Sequence, residues 1–242
     1  MTRTDKKRGD EPTSVHLVLQ GKGGVGKSLV AAFLAQYFLD KERDLKCYDT
    51  DPVNATLKGY AALGAVHLPL LVDGRVDARK FDALLEDVLQ ARGRTFVVDN
   101  GASTFLPLGH YLAENHAYDL LAAHGVDVVT HCVVTGGQAL KDTLVGLNAL
   151  ANIAVPRGVV VWSNEYFGPV EHEGVRLTEL PVFTNHRAKF RGMVTIQRRN
   201  ADTFGADVGD MISRHLTFAE AMNSPGVAYL AGSRLKLVRA QG

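Results

Sequence analysis

A glycine-rich segment, Gly21–Ser28, has the residue types and spacing of a phosphate-binding loop. It reads Gly-Lys-Gly-Gly-Val-Gly-Lys-Ser, which fits the P-loop pattern of a glycine, four further residues and then Gly-Lys-Ser. Glycines let backbone N–H groups converge on phosphate oxygens, and a helix that begins near Lys27 presents its positive dipole end to them. In such a loop Lys27 lies near the β- and γ-phosphates, and the Ser28 hydroxyl ligates Mg²⁺. The pattern predicts a Mg-nucleotide site, and the alternative is a glycine turn that only precedes a helix.

Acidic residues follow two predicted strands, at the positions that such a site needs. Asp49 and Asp51 come after the second strand, and Asp99 ends the strand that begins at Thr95. Ligands of open α/β sheets bind beyond the carboxyl ends of the strands, so these residues are expected to lie near the glycine-rich loop. An aspartate preceded by four strand residues is typical of a Walker B position, which holds Mg²⁺ through water. Strand-end aspartates are also common turn formers, so it is the combination with the loop that favours the metal role of Asp99.

Hydrophobic periodicity predicts the elements that position these residues. Strands are predicted over 15–19, 45–48, 95–99, 126–134, 158–162 and, after a looser stretch, 193–196. Helices are predicted over 27–39, 81–89, 138–150, 201–216, 218–222 and 227–239. Strands that alternate with helices indicate an α/β fold with a doubly wound, mostly parallel sheet of the P-loop NTPase type.

The composition fits a single globular domain. Of the 242 residues, 46% are hydrophobic and 22% charged, which excludes intrinsic disorder for most of the chain. A domain of this length buries roughly 70–75% of its unfolded surface, so it needs no disulfide or metal staple. Because no linker, repeat or low-complexity tract interrupts the body, we expect a flexible tail over 1–14 and one P-loop NTPase domain over 15–242.

Charge and hydropathy restrict the expected partners and location. The chain has 27 basic and 26 acidic residues, so its whole surface is not suited to gripping a nucleic-acid backbone. It has no helix-turn-helix or zinc-finger spacing, and sequence-specific nucleic-acid binding is not expected. No apolar run reaches the roughly 18 residues that cross a bilayer, and the N-terminus lacks the apolar region of a secretory signal. These features predict a cytoplasmic protein.

The cysteines and histidines do not have the spacing of a metal centre. Cys47 and Cys132 cannot form a disulfide framework or a four-ligand zinc site, and both lie in apolar runs typical of buried thiols. His131 and Cys132 are adjacent on a strand and therefore point to opposite faces. The Glu-His-Glu segment 171–173 is interpreted as a solvated or partner-facing loop. His110 is interpreted as a capped histidine at a helix start, with a place at the site or a partner surface as the alternative.

A second lysine inside the loop, Lys22, makes the loop similar to the deviant Walker A of the MinD/ParA class of ATPases. Residues 47–56, Cys-Tyr-Asp-Thr-Asp-Pro-Val-Asn-Ala-Thr, resemble the Walker A′ segment of that class. Within the class, the chain resembles the TraL family of bacterial conjugal transfer proteins over almost its whole length. The segments that carry the narrower resemblance are 20–28, 49–56, 98–103, 133–140, 168–174 and 234–239.

The resemblance implies an ATPase that uses Mg²⁺, forms a homodimer around ATP and hydrolyses it slowly by water attack on the γ-phosphate. Lys22 would contact the phosphates of the partner subunit and stabilise the transition state, as an arginine finger does. Lys27 would act on the chain's own phosphates, and Asp51 would orient the attacking water. Asp49 would support the loop and the dimer contact. The implied role is that of an accessory protein of conjugal DNA transfer.

The resemblance also implies the set of nucleotide contacts. Asn164 would read the adenine edge, for which a turn-forming asparagine is the alternative, and Ser28, Asp51 and Asp99 would hold the Mg²⁺ shell. A protein partner in the transfer machinery is implied, with the chain in the cytoplasm or loosely attached to the inner membrane. The loop residues that would contact ATP are Gly21, Lys22, Gly23, Gly24, Val25, Gly26, Lys27, Ser28 and Leu29.

Two departures from the class pattern bear on affinity and loop shape. The class usually carries a second hydroxyl after the P-loop serine, and this chain has Leu29 there. Losing one hydrogen bond to a charged group costs about 1.5–3 kcal/mol of binding free energy. The proline-rich turn that usually follows Walker B is replaced by Asn-Gly-Ala over 100–102, which the TraL family shares.

Three other functions remain open from the sequence. A partition or protein-positioning ATPase needs a surface for DNA or membrane, and the basic segment 227–239 is the only candidate. A small-molecule P-loop kinase or synthetase needs an acceptor pocket and has no use for Lys22. A scaffold that binds nucleotide without hydrolysis is disfavoured by the presence of both Lys22 and Asp51.

Overall fold

The computed structural model describes residues 11–153, 158–200, 202 and 204–223. The strands are β1 (Ser14–Leu19), β2 (Asp44–Asp49), β3 (Val66–His67), β4 (Leu71–Val72), β5 (Arg75–Val76), β6 (Arg94–Asp99), β7 (Asp127–Thr135), β8 (Val159–Asn164), β9 (Glu171–His172), β10 (Val175–Arg176) and β11 (Phe190–Ile196). The helices are α1 (Lys27–Asp40), α2 (Ala78–Gln90), α3 (Phe105–Glu114), α4 (Ala117–Ala123), α5 (Leu140–Asn152), α6 (Pro181–Thr184), α7 (Phe204–Ser213) and α8 (Phe218–Asn223).

Seven strands form one parallel sheet, in the order β11-β8-β7-β1-β6-β2-β3. Neighbouring strands in this sheet are mostly distant in sequence, so helical crossovers connect them. All carboxyl ends therefore lie at one edge of the sheet. The register places Asp99 beside Asp49 on one side and beside Val18 on the other, so the predicted acidic residues meet the end of β1.

Two hydrophobic clusters cover opposite faces of the sheet. Alternation along β6 shows the division, since Phe96 and Val98 belong to one cluster and Val97 to the other. One cluster packs against helices α2 to α5, and the other packs against α1, where Ala31 and Ala35 allow close approach. The predicted α/β class with a doubly wound parallel sheet is confirmed.

Local chemistry explains where the helices begin. The Asp77 side chain accepts hydrogen bonds from the backbone of Arg79 and Lys80, so α2 begins at Ala78, three residues before the predicted start. Helices α3 and α4 were not predicted. Pro107 and Gly109 interrupt the helical pattern of α3, and α4 is only seven residues long. Gly109 is required by packing, since a Cβ there would lie 2.9 Å from the Ile153 Cδ1 atom.

Several predicted boundaries differ from the structure. β1 begins at Ser14 rather than at residue 15, and β11 begins at Phe190 rather than at 193. The helix expected over 201–216 is α7, which is shorter. Residues 1–10 of the expected tail and the helix predicted over 227–239 lie outside the described residues. No helix in the described ranges is long and apolar enough to cross a membrane.

Candidate nucleotide-binding site

The glycine-rich loop connects β1 to α1, as predicted. Gly24 and Gly26 have φ values of 72° and 99°, a conformation that residues with a side chain rarely adopt. The Gly26 carbonyl accepts the first helical hydrogen bond, from the Val30 N–H at 3.0 Å, so α1 begins at Lys27. The loop residues 21–24 are exposed. The loop thus presents its backbone and the N-terminus of a 14-residue helix to solvent.

Lys27 is buried at the base of this loop. Its Nζ donates a hydrogen bond to the Lys22 carbonyl at 2.8 Å, which holds the ammonium across the loop. Burial lowers the pKa of Lys27, and the nearby charges of Asp99 and Asp51 raise it. These charges show that the structure brings Lys27, Asp51 and Asp99 together although they are far apart in the sequence.

Asp99 is the most unusual carboxylate of the site. It is 1% exposed, and neither of its carboxylate oxygens has a hydrogen-bond partner of good geometry among the described residues. Burial raises its pKa to about 7, and the charges of Asp49 and Asp51 act in the same direction. The Ser28 hydroxyl and Lys27 lower the pKa, which places both near the carboxylate.

A buried carboxylate without a partner is costly unless a cation or ordered water satisfies it. In the described part of the chain, no group of three His, Cys, Asp or Glu residues could hold a metal ion alone. A magnesium ion usually keeps several waters and takes only one or two protein carboxylates besides phosphate oxygens. The pair formed by Asp99 and the Ser28 hydroxyl fits such a partly hydrated ion.

Asp49 and Asp51 organise the segment that follows β2. Asp49 is buried and accepts hydrogen bonds from the backbone N–H groups of Asp51, at 3.2 Å, and Lys58, at 3.1 Å. Burial raises the pKa of Asp49, and these two bonds act against that shift. The Asp51 Oδ1 atom accepts from the Val53 N–H at 2.8 Å and from Asn54 at 3.2 Å. Asp49 therefore positions the segment that carries Asp51.

Asn100 is a site residue whose role the sequence did not reveal. It is buried and connects the ends of three strands: its amide nitrogen donates to the Val18 and Val98 carbonyls, and its oxygen accepts from the Thr50 hydroxyl at 2.8 Å. The next residue, Gly101, leaves room for Asp51, because a Cβ there would lie 2.7 Å from the Asp51 Oδ1 atom. The Asn-Gly sequence at 100–101, which stands where the class usually has a proline-rich turn, thus has a structural function.

Gln20, just before the loop, was also overlooked. It is fully buried, and its Nε2 donates to the carbonyls of Val133, at 2.8 Å, and Thr143, at 3.1 Å. Its Oε1 accepts from the Gly21 N–H at 2.8 Å. The contact with α5 is so close that a Cβ on Gly146 would lie 1.9 Å from Oε1. Gln20 therefore fixes the start of the loop against β7 and α5.

Asn164 lies at the loop, but its amide is engaged by the protein backbone. Its Nδ2 donates to the Val25 carbonyl at 3.0 Å, and its Oδ1 accepts from the Tyr166 N–H at 3.2 Å. It is 2% exposed, and a Cβ on Gly26 would lie 3.0 Å from Nδ2. In this structure Asn164 ties the loop to β8, and its contact with adenine stays a prediction.

Lys22 contacts a partner that the sequence did not indicate. Its Nζ forms an ion pair with Asp142, in the first turn of α5, at 2.7 Å. Both side chains are about half exposed, at 44% and 56%. The lysine is thus held on its own chain. Leu29 is half-buried in the first turn of α1, and its contact with ATP stays a prediction.

The residues set aside as metal ligands have other roles. Cys47 and Cys132 are buried free thiols, as predicted. His131 accepts a hydrogen bond from the Trp162 Nε1–H at 3.0 Å and shares one of 2.9 Å with His16. The Glu-His-Glu segment provides β9 and the start of the turn to β10. His110 lies inside α3 and is exposed, so its expected place at a helix start was wrong.

Known proteins resemble the chain in sequence and in fold. Protein TraL of Escherichia coli is 43% identical over 226 residues, which cover 93% of both chains. The MinD cell division protein of Aquifex aeolicus has a similar structure, with a TM-score of 0.53, 15% identity and coverage of 94% of this chain and 95% of that one. A ParA family ATPase from Chlorobium tepidum TLS also gives a TM-score of 0.53, with 12% identity and coverage of 93% and 96%. No protein-family model matches the chain.

Proposed function

The chain belongs to the TraL family, and on this premise we propose that it binds Mg-ATP, hydrolyses it slowly and dimerises around it. The observation that carries the proposal is Asp99, a fully buried carboxylate whose oxygens have no hydrogen-bond partner of good geometry among the described residues, and which lies beside Ser28 and Lys27 at the glycine-rich loop. A merely structural glycine turn has no need of this arrangement. The MinD- and ParA-like fold supports the same proposal.

The loop and the buried charged residues are proposed to bind different parts of Mg-ATP. Backbone N–H groups of Gly21–Leu29 and the start of α1 receive the phosphates. Lys27 neutralises phosphate charge, and Ser28 and Asp99, with Asp51 nearby, hold the Mg²⁺ shell. Mg²⁺ held there would neutralise the negative charge that develops on the phosphates.

Asp51 is proposed to orient the attacking water. Its Oδ1 caps the turn at Val53 and Asn54 and is held against Gly101, so the side chain has a fixed direction. Asp49 and Asn100 hold the two strand ends on either side of it. Positioning of this kind contributes to phosphoryl transfer by aligning the nucleophile with the leaving group.

Dimer formation is proposed to move Lys22 from Asp142 to the phosphates of the partner subunit. An exposed ion pair contributes about 0–1 kcal/mol, whereas a hydrogen bond to a charged group contributes about 1.5–3 kcal/mol. The exchange therefore favours the dimer when ATP is bound. It also makes the ATPase slow in the monomer, because the monomer keeps Lys22 on α5.

The cellular role is proposed from the family alone. The chain would act as an accessory ATPase of conjugal DNA transfer in the cytoplasm, with a protein partner in the transfer machinery. Its nucleotide state would decide when that partner is bound.

Nucleotide titration tests the binding step. We expect Lys27→Ala to weaken Mg-ATP binding by about 10- to 150-fold, the equivalent of a charge-assisted hydrogen bond. The matched control is Lys41→Ala, just beyond the other end of α1, where the lysine contacts Asp40 and the ring of Tyr37, both away from the loop. Isothermal calorimetry on both variants measures the affinities. Equal affinity of Lys27→Ala and the wild type would refute the proposed site.

A further inference from the structure

β11 is the outermost strand of the sheet, and its outer edge has no partner strand among the described residues. Among the described residues, β8 is the one strand that pairs with β11. The Ile196 carbonyl accepts from the Glu165 N–H at 2.9 Å, so the backbone groups of Ile196 point to the β8 side. Since backbone direction alternates along a strand, Met193 and Thr195 point their N–H and C=O groups outward. These groups form a template for one more strand.

The middle of this strand is also apolar on both faces. Met193 is 43% exposed and Val194 is 40% exposed, and consecutive strand residues point to opposite faces. The helices of the described residues therefore leave both faces open at this point, which is unusual for a parallel sheet. An added strand would bury apolar side chains on each face as well as pairing the backbone.

Cationic residues flank the apolar centre at both ends. The segment from residue 180 to 201 contains five lysines and arginines and no Asp or Glu. All five are exposed, and none forms an ion pair within the described part of the chain. They are Arg187, Lys189, Arg191, Arg198 and Arg199.

The charge disfavours occupants that come from the protein itself. A second copy of β11 carries the same five positive charges and would be repelled, which is a known way of protecting edge strands. Residues 1–10 contain four basic and two acidic residues, and residues 224–242 contain three basic and no acidic ones. Neither terminal segment complements the edge. The matching occupant is an anion from another molecule.

We propose that β11 is a docking edge for an extended, acidic segment of a partner protein, which adds to the sheet as an eighth strand. The segment would be apolar over about six residues, opposite 192–197, with acidic residues at both ends, a separation of about 20 Å. Backbone hydrogen bonds supply affinity and the flanking charges supply selectivity, as in other strand-addition complexes. Nucleic acid would satisfy the cations but has neither amide groups nor apolar side chains for the strand.

A designed peptide tests the proposal on the full-length protein. The probe is fluorescein-labelled Glu-Asp-Val-Ile-Val-Val-Ile-Val-Asp-Glu, compared by anisotropy with a version in which lysine replaces each acid. We expect the acidic peptide to bind at least 10-fold more tightly. Its binding should slow hydrogen exchange of the Met193 and Thr195 amides at least 10-fold and leave that of Val194 unchanged.

Two pairs of variants separate charge from strand addition. Arg198→Glu with Arg199→Glu should weaken peptide binding at least 10-fold, and the control reversal of exposed Arg75 and Arg79 should not. Thr195→Pro removes an outward N–H and should abolish binding, whereas Thr195→Ser should not. Circular dichroism checks that each variant is folded.

Two results would overturn the proposal. One is peptide binding without protection of the Met193 and Thr195 amides, which would mean attraction of charge alone. The other is tighter binding of a 12-nucleotide oligothymidine than of the peptide, provided that Arg198→Glu with Arg199→Glu also abolishes binding of the oligothymidine. That result would assign the edge to nucleic acid.

Discussion

At the scale of single residues, the site places a buried carboxylate where a cation is expected. The pKa of Asp99 lies near 7, mainly because burial disfavours the charged form. In the unfolded chain an aspartate titrates near 3.9. Between these two values the folded protein binds a proton that the unfolded chain has released, so Asp99 stabilises the fold at low pH and this contribution is lost as the pH rises to about 7.

The first prediction is that Asp99→Asn stabilises the nucleotide-free protein more at pH 8 than at pH 5, in each case relative to the wild type. Because the variant has no charge to bury, its free energy of unfolding relative to the wild type should rise by roughly 2–3 kcal/mol between these two values. Urea unfolding with a chelator present at both pH values measures this difference. His16 and His131 have pKa values lowered by burial to about 4 and 3, so they destabilise both proteins equally as the pH falls below 6.5.

The same variant should lose the stabilisation that Mg-ATP gives to the wild type, since it lacks the carboxylate for the Mg²⁺ shell. Wild type and variant are compared by thermal unfolding with and without Mg-ATP. If the difference in free energy of unfolding between wild type and Asp99→Asn were the same at pH 5 and at pH 8, the pKa of Asp99 would not be raised by burial.

At the scale of elements, the position of the glycine-rich loop depends on α5. Gln20 is hydrogen-bonded to the loop, β7 and α5 at once, and Gly146 makes room for it. The first turn of the same helix carries Asp142, which holds Lys22. Loop and helix are thus linked at two points, and a movement of one is expected to move the other.

The second prediction is that Gly146→Ala weakens Mg-ATP binding at least 10-fold. The new methyl group would occupy the place of the Gln20 Oε1 atom and displace the side chain from its three backbone partners. The double variant with Gln20→Ser provides space and should recover most of the affinity. The control is Gly209→Ala in α7, where a Cβ meets nothing within 4 Å. Failure of Gln20→Ser to restore affinity would argue against coupling through this contact.

Sequence order explains which parts of the site could be predicted. The glycine-rich loop and the strand-end aspartates are contiguous patterns with fixed neighbours, and the structure places them at one edge of the sheet. Gln20 and Asn100 act through carbonyl groups, which every residue possesses, at sequence distances of 113 and 82 residues. Such partners leave no signature in residue types. Helix α3 was missed because tertiary packing outweighs the low helix propensity of Gly109.

At the scale of the whole molecule, the ion pair between Lys22 and Asp142 opposes the proposed dimer. The third prediction is that Asp142→Asn increases ATP-dependent dimerisation by up to about 5-fold, because it removes a surface ion pair of about 0–1 kcal/mol. The control is Asp119→Asn, an exposed acid in the first turn of α4 that pairs with His116. Equilibrium sedimentation gives both dissociation constants. Weaker dimerisation of Asp142→Asn would mean that Asp142 serves the dimer.

The parallel sheet was predicted from alternating patterns, whereas its exposed edge was not. The pattern over 193–196 indicates a strand without indicating its place in the sheet. That place follows from the pairing of β11 with β8, which the chain reaches only after the β9–β10 hairpin and α6. Docking surfaces of this kind depend on topology, so they become visible only in the structure.

The most direct test of the nucleotide switch is sedimentation of Asp51→Asn, which keeps an oxygen for the turn at Val53 and slows hydrolysis. The account predicts a dimer with Mg-ATP, a monomer with Mg-ADP, and loss of the ATP-dependent dimer when Lys22→Ala is added. A protein that binds Mg-ATP and remains monomeric would contradict it, and the cross-subunit role of Lys22 would then be wrong.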